Sequence, residues 1–400
     1  MPWSPDAHSK MLDFIEQFWL QKARSALRVS TETPTEEVLE KIRPCVAELS
    51  DLFTVARPEK FRDYMSDARL LAAYGLFFFP QSFARADFAV RRLLGFYGRS
   101  PKNADKTLSI LDLGSGASPC GLALAGTLQE RFPQADIELT AVDRSRAALD
   151  AVPLPGKTRI KLKTECADLR NFAGTQHAFD FIVLGWSLNE IIPATTPDAV
   201  EKALVFLKKL ANSLKPTGTL LILEPALKET TERLQRVSDY FARTPGLPFH
   251  RLAPELGNHE DPLLAEGGIS WNHEVRRWTA PASLEFINRK LFREIQVLKF
   301  SWCALGKTPP VLAVEPDKMP ALLRLISPME MTKTALRFSA VDVAGAKKNV
   351  EIPVRGLSKS ECKKMAAAWE RGDIAVVSGE LTPLGTPSCF RLAGTLEKIL

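Results

Sequence analysis

Leu111-Asp112-Leu113-Gly114-Ser115-Gly116-Ala117-Ser118-Pro119 decides the fold, because an apolar run delivers an acidic residue into a tight glycine turn. Ser109-Ile110-Leu111 reads as the end of a buried parallel strand, and Pro119-Cys120-Gly121-Leu122-Ala123-Leu124-Ala125 as the first turns of a helix. Gly114 and Gly116 can take backbone angles closed to other residues and leave no side chain between the backbone and a ligand. A small molecule can therefore approach the strand end closely.

Outward from this loop the pattern alternates. Apolar runs recur at 108–111, 137–142, 160–162, 179–184 and 219–223, with helix-like stretches between most of them. That pattern predicts a doubly wound, Rossmann-like α/β sheet whose ligand crevice lies at the carboxyl ends of the strands. Asp112 ends the first strand, Asp143 the second, and Asp168 follows the third. A carboxylate at the second strand end can accept from both ribose hydroxyls, and one after the third can accept from an adenine amino group. A nicotinamide dinucleotide shares the second feature, but its fingerprint wants a third glycine where this chain has Pro119. Asp112 before the turn suits a cofactor with a cationic amino-acid end and no pyrophosphate, so S-adenosylmethionine fits better. The competing reading of the two glycines is a purely structural strand-to-helix turn, and Asp168 serves equally well as the cap of a following turn.

Phe179-Asp180-Phe181-Ile182-Val183-Leu184-Gly185-Trp186-Ser187-Leu188-Asn189-Glu190-Ile191 places the fourth strand end where a sulfonium methyl would lie. The Asn/Asp-Pro-Pro-aromatic signature of amine methylation is absent there, as is the cysteine nucleophile of cytosine-C5 methylation. Trp186 falls beside the cofactor; Asn189 can orient an acceptor and Glu190 can take a proton. The alternative is that Asn189 and Glu190 cap the loop. Glu224, ending the fifth strand, is a further crevice candidate.

The remainder frames this core. The 400 residues, 45% apolar and 25% charged, suit two or three ordinary globular domains. The N-terminus, Met1-Pro2-Trp3-Ser4-Pro5-Asp6, lacks a basic-then-apolar signal pattern, and the run Leu76-Phe77-Phe78-Phe79 stops at Pro80. The expectation is a cytoplasmic protein with no membrane partner. Six scattered cysteines without a CxxC argue against a disulfide framework or zinc ribbon. Residues 1–104 read as an α-helical domain, with one helix before Pro80 and another after it. The methylase-like domain spans 105–308 with an insertion at 226–299, and 309–330 reads as a linker. Residues 331–400 read as a small β-barrel of the oligonucleotide-binding (OB-like) kind, with strands at 334–341, 349–354, 373–381 and 390–399 and a helix at 358–369. Residues 318–400 hold 13 Lys/Arg against 8 Asp/Glu, an excess compatible with phosphate backbones as partners. Lys347, Lys348, Arg355, Lys363, Lys364 and Arg391 are the cations available there, and packing or protein contact is the competing use. The oligomeric state is not legible.

Several of these residues together resemble a known family, the methyltransferase-like proteins associated with the mitochondrial ribosomal small subunit and their bacterial relatives. The likeness rests on Tyr64 and Ala73-Tyr74, LDLGSGAS (111–118), SLNEI (187–191), and LILEPAL (221–227) followed by Thr230, Arg233 and Leu234. It continues through Ala253-Pro254, Pro262-Leu263, Trp271, His273 and the strand 300–305, spanning roughly 60–306. The resemblance implies a class I methyltransferase fold, S-adenosylmethionine binding, and a role with small-subunit rRNA in assembly or translation. Family members carry cysteines that resemble iron–sulfur ligands where this chain has Glu255, Asp261 and Asn272. Carboxylate and amide oxygens do not replace thiolates on such clusters, so no cluster is expected. Glu255, His259, Asp261 and His273 could instead hold another metal, against the simpler reading of a polar loop, and no metal site is assigned. Arg276, Arg277 and Trp278 are expected to make the insertion an RNA-facing surface.

Two functions remain open. One is methyl transfer to ribosomal RNA or a ribosomal protein, with Asn189 and Glu190 at the acceptor. The other is a non-catalytic RNA-binding assembly factor that keeps only the cofactor pocket. A nicotinamide-dependent oxidoreductase is disfavoured by Pro119 and by the lack of a hydride-transfer set.

Overall fold

The structure, a computed structural model, describes residues 5–54, 63–99, 101, 107–172, 174–175, 178–267, 270–293, 295–386 and 388–399. Residues 1–4 of the N-terminal signal reading and the boundary expected at 104/105 lie outside the described residues.

Three helices open the chain: α1 (Pro5–Leu27), α2 (Thr35–Thr54) and α3 (Ala68–Leu94), with the single turn Tyr64–Ser66 before α3. Asp67 starts α3 by accepting from the Arg69 and Leu70 amides. The break expected at Pro80 does not occur, and α3 runs through it. Proline removes one main-chain bond and crowds the preceding turn. Here the Gln81 side chain donates to the Phe77 carbonyl at 2.7 Å, and Phe77, Phe79 and Phe83 are buried on either side. The apolar burial outweighs the local cost. Trp19 of α1 is fully buried against Gly75, where a β-carbon would overlap the indole ring.

The central sheet follows: β1 (Leu108–Leu113), α4 (Pro119–Arg131), β2 (Ile137–Asp143), α5 (Arg146–Leu149), β3 (Ile160–Cys166), β4 (Phe179–Gly185), α6 (Ser187–Ile191), α7 (Ala199–Leu210) and β5 (Leu214–Pro225). The insertion supplies α8 (Lys228–Arg243), β6 (His250–Ala253), α9 (Pro262–Ala265), β7 (Glu274–Arg277) and α10 (Ala282–Lys290), and β8 (Val297–Gly306) closes the domain. The strand order is β3-β2-β1-β4-β5-β8-β6, with β7 paired to another part of β8. The first five strands are parallel and β8 is antiparallel to β5. A dinucleotide-binding sheet runs 3-2-1-4-5-6. This one inserts a reversed strand between β5 and β6. The insertion thus extends the sheet rather than standing apart from it. The near-continuous burial of β1, β4 and β5 explains why their sequences are unbroken apolar runs.

The C-terminal module contains β9 (Leu322–Leu325), β10 (Glu330–Met331), β11 (Ala335–Asp342), β12 (Lys347–Pro353), α11 (Lys359–Ala367), β13 (Ile374–Pro383) and β14 (Cys389–Ile399). β9 falls inside the stretch read as linker; its Leu-Leu-Arg-Leu sequence is buried along its whole length, and it pairs with both β11 and β13. The pairing path β9-β11-β12-β14-β13 therefore returns to its start. Four residues with a buried arginine carried too weak an alternation to be read as a strand.

Candidate ligand site

The glycine loop joins β1 to α4 and is tied to β2. The amides of Gly114 and Ser115 both donate to the Val142 carbonyl, at 2.8 and 3.0 Å, and the Gly116 amide donates to Asp143 Oδ2 at 2.8 Å. Gly114 and Gly116 have φ of +70° and +54°. A β-carbon on Gly114 would lie 2.4 Å from Ser187 Cβ, so glycine is required there by contact as well as by conformation.

Asp112 takes a role different from the one expected. It is 1% exposed, and its Oδ2 accepts from Ser118 Oγ at 2.7 Å and from the Gly121 amide at 3.0 Å. Ser118, left-handed at φ 60°, makes no side-chain cap of its own, so Asp112 satisfies the free amide at the start of α4. Burial raises its pKa to about 6, opposed by those two hydrogen bonds and reinforced by Asp143. Its charge is spent on the helix end rather than presented to a cationic ligand.

Asp143 is half-buried, with Oδ1 accepting from the Ser145 amide and Oδ2 from Gly116, both at 2.8 Å. Each oxygen keeps a lone pair, so the carboxylate still has capacity for two hydroxyl donors. Asp168 caps the Leu169–Asn171 turn through the Arg170 amide and pairs with the Arg170 guanidinium at 2.5 Å. Those bonds hold its pKa down to about 2. This is the capping role named as its alternative.

At the end of β4, Trp186 adopts φ 61° and donates its amide to the Leu223 carbonyl at 2.8 Å. Ser187 is buried, and among the described residues its Oγ has no hydrogen-bond partner. Asn189 is 8% exposed: its amide donates to Glu224 Oε1 at 3.0 Å and its Oδ1 accepts from the Ala194 amide at 3.4 Å. Glu224 is completely buried and faces Arg233 at 3.4 Å. Glu190 is exposed on α6. Burial pulls the Arg144 guanidinium below its usual range, opposed by the negative charges of Glu190, Asp143 and Asp168.

The N-terminal helices cover the loop, a feature missed in the sequence. A β-carbon at Gly116 would sit 3.6 Å from Tyr74 Oη and 3.9 Å from Met65 Cε. Burial, helped by neighbouring Asp143 and Glu190, pushes the hydroxyls of Tyr64 and Tyr74 well above the ordinary tyrosine range, so both stay neutral. The only sequence sign was the unusual placement of two tyrosines before the glycine loop.

Glu255, Asp261 and Asn272 form a second, buried polar cluster. Asn272 Nδ2 donates to Glu255 Oε1 at 2.7 Å and Asp261 Oδ2 at 2.9 Å, while its Oδ1 accepts from Arg324 Nη1 at 2.8 Å. A cavity of about 20 Å³, room for a single water, lies among them. Cys303 lines it, its thiol pushed by burial to about 12 and hence protonated. A set of amide, carboxylates and guanidinium does not suit an iron–sulfur cluster. Among the described residues no group of three His, Cys, Asp or Glu is arranged to hold a metal; His273 Nδ1 lies 2.9 Å from the Trp271 carbonyl and His259 Nδ1 3.1 Å from that of Glu260.

The expected RNA face of the insertion is different in the structure. Arg276 is 5% exposed, paired with Glu274 and with Asp373 at 2.9 Å, and lies over the Phe88 ring. Arg277 is exposed but tied to Glu370 and the Ala367 carbonyl, and Trp278 packs against the core. The acidic residues of the C-terminal module, remote in sequence, neutralise this stretch.

No family model and no curated protein matches the chain. Solved structures similar to it include an S-adenosylmethionine-dependent methyltransferase from Clostridium acetobutylicum, 14% identical over 65% of this chain and 96% of that one, with TM-score 0.28. The CMeT domain of the citrinin polyketide synthase is 17% identical over 70% of this chain and 71% of that one, with TM-score 0.34. PKMT2 from Rickettsia typhi in complex with AdoHcy is 16% identical over 64% and 62%, with TM-score 0.30. Among the described residues no helix is long and apolar enough to cross a membrane.

Proposed function

We propose that this chain is an S-adenosylmethionine-binding, class I methyltransferase-like protein that acts on the small ribosomal subunit or its rRNA. The observation that carries the cofactor assignment is the positive-φ loop Gly114–Gly116 at a strand end, held by Asp143 and bordered by the unsatisfied Ser187 hydroxyl. The reversed strand between β5 and β6 supports the methyltransferase arrangement over a dinucleotide-binding one. The free lone pairs of Asp143 would hold the nucleoside hydroxyls against the side-chain-free surface of Gly114 and Gly116, with Trp186 beside it. The cofactor, when bound, supplies an electrophilic methyl group. Glu190, exposed on α6, is the carboxylate that would accept a proton from the acceptor.

The RNA assignment rests on the family resemblance and on the C-terminal module. Its ring of five strands, with α11 between the third and fourth, supports an OB-like barrel. Arg355, Lys363, Lys364 and Arg391 are exposed on it, whereas Lys347 pairs with Glu266 at 2.7 Å and Lys348 with Asp342 at 3.2 Å. The reading as a non-catalytic assembly factor is favoured by one observation: Asn189 is buried and its Oδ1 accepts from the Ala194 amide, so the side chain braces the loop rather than projecting towards an acceptor.

Titration calorimetry with adenosylmethionine, adenosylhomocysteine and NAD tests the cofactor. Binding of the first two is expected, and tight binding of NAD alone would overturn the assignment. Crosslinking and sequencing of bound RNA then identifies the partner. Methylation of that RNA makes the protein an enzyme; none on any bound RNA or protein leaves the assembly factor.

A further inference from the structure

Arg85 is a cation of α3 that, among the described residues, meets no carboxylate. It lies on the face of α3 that carries Tyr74 and Gln81, at a spacing that places all three towards the loop. Its guanidinium carbon is 5.8 Å from the Trp186 ring centroid. Nη2 makes one long bond, 3.4 Å, to Gln81 Oε1, and Nε is buried without a partner. Arg91, Arg92, Arg233, Arg251, Arg276 and Arg324 each face a carboxylate within 4 Å. Among the described residues Arg85 faces none.

The surroundings explain what could answer it. Cys120, on the first turn of α4, is wedged against Gly185, so that a β-carbon on Gly185 would lie 2.4 Å from its sulfur. The arginine is stationed against Trp186, the residue that follows β4 and precedes Ser187. Ser187 Oγ, also unpartnered, abuts Gly114 from the other side. A planar guanidinium held against an indole keeps its fork pre-oriented, and the fork matches a carboxylate better than any other common anion except phosphate. Asp143, whose carboxylate borders the loop, makes this crevice a poor place for a doubly charged phosphate.

We propose that Arg85 is the receptor for the α-carboxylate of an amino-acid-bearing nucleoside bound at the glycine loop. This rests on the cofactor assignment made above and adds the group that distinguishes the amino-acid end from the nucleoside end. Burial lowers the Arg85 pKa to about 10, which leaves it charged at neutral pH.

The test compares two ligands by calorimetry, S-adenosylhomocysteine and 5′-methylthioadenosine, which shares the nucleoside thioether but lacks the amino acid. Arg85→Gln is expected to weaken adenosylhomocysteine binding about 10- to 100-fold and to leave methylthioadenosine within about twofold of wild type. Retained methylthioadenosine binding also shows that the variant is folded. Arg85→Lys keeps the charge without the fork and covers the case in which Arg85→Gln does not fold; it is expected to weaken adenosylhomocysteine alone. Unchanged adenosylhomocysteine affinity in these variants, or equal losses for both ligands in Arg85→Lys, overturns the role of Arg85 while leaving the cofactor assignment standing. Failure of the wild type to bind either ligand overturns the cofactor assignment and the proposal together.

Discussion

Arg324 Nη2 donates to Glu274 Oε1 at 2.9 Å, and neither side chain is more than 2% exposed. The bond joins β9 of the C-terminal module to β7 of the insertion. Around it, Arg276 binds Glu274 and Asp373, and Arg92 of α3 reaches the Gly372 carbonyl at 3.0 Å. Charges from three separated parts of the chain therefore neutralise one another in a single buried site. Such a network costs heavily to desolvate, and losing one member leaves the others uncompensated.

Glu274→Gln and Arg324→Met should accordingly each destabilise the protein by about 3 to 5 kcal/mol, while the double variant loses less than the sum. Denaturant unfolding of the two singles and the double measures this coupling. Additive losses would mean that the pair is not energetically linked.

The pH dependence should carry opposing contributions. Burial and Arg371 lower His273 to about 4, so its stabilisation is lost as pH falls from about 6.5 towards 4. Burial alone would raise Glu274, but Arg276, Arg324 and Arg92 outweigh it and bring it to about 2; that stability is present above 4.5 and lost as pH falls towards 2. Asp112 works the other way. Its folded pKa of about 6 lies above the ordinary 3.8, so the folded state gains relative stability as pH falls through that window. Asp112→Asn removes this contribution. The stability difference between variant and wild type should increase from pH 4 to pH 6 by up to about 3 kcal/mol and then level off. A difference that stays flat with pH would show that Asp112 does not titrate in that range.

The sheet was legible because buried parallel strands leave continuous apolar runs, and the glycine loop because its backbone demands glycine at 114 and 116. What escaped was set by distant partners. Arg276 and Arg277 read as a basic RNA surface until Asp373 and Glu370, nearly a hundred residues later, were brought against them. Pro80 read as a break because the local rule is sound and only tertiary burial overrides it. Asp112 lies in β1, Asp143 ends β2 and Asp168 sits two residues past β3, as their spacing indicated. Spacing alone could not tell that Asp112 faces inward to α4 while Asp143 keeps lone pairs for a ligand.

The same distinction separates Asn189 from Glu190. Asn189 is buried on α6 with Oδ1 accepting from the Ala194 amide, whereas Glu190 on the same helix is exposed. Removing the Asn189 side chain should therefore act on the loop: Asn189→Ala is expected to lower stability by about 1 kcal/mol and to change methyl transfer only modestly. Glu190→Gln keeps the shape and loses the base. If the protein transfers methyl groups with Glu190 as proton acceptor, this variant should lose about 100-fold or more in rate with adenosylmethionine affinity unchanged. Single-turnover transfer to the crosslinked RNA, measured beside calorimetry for each variant, checks both. A large rate loss in Asn189→Ala with unaltered stability would reverse the division of roles, and an unchanged rate in Glu190→Gln would remove Glu190 from the chemistry.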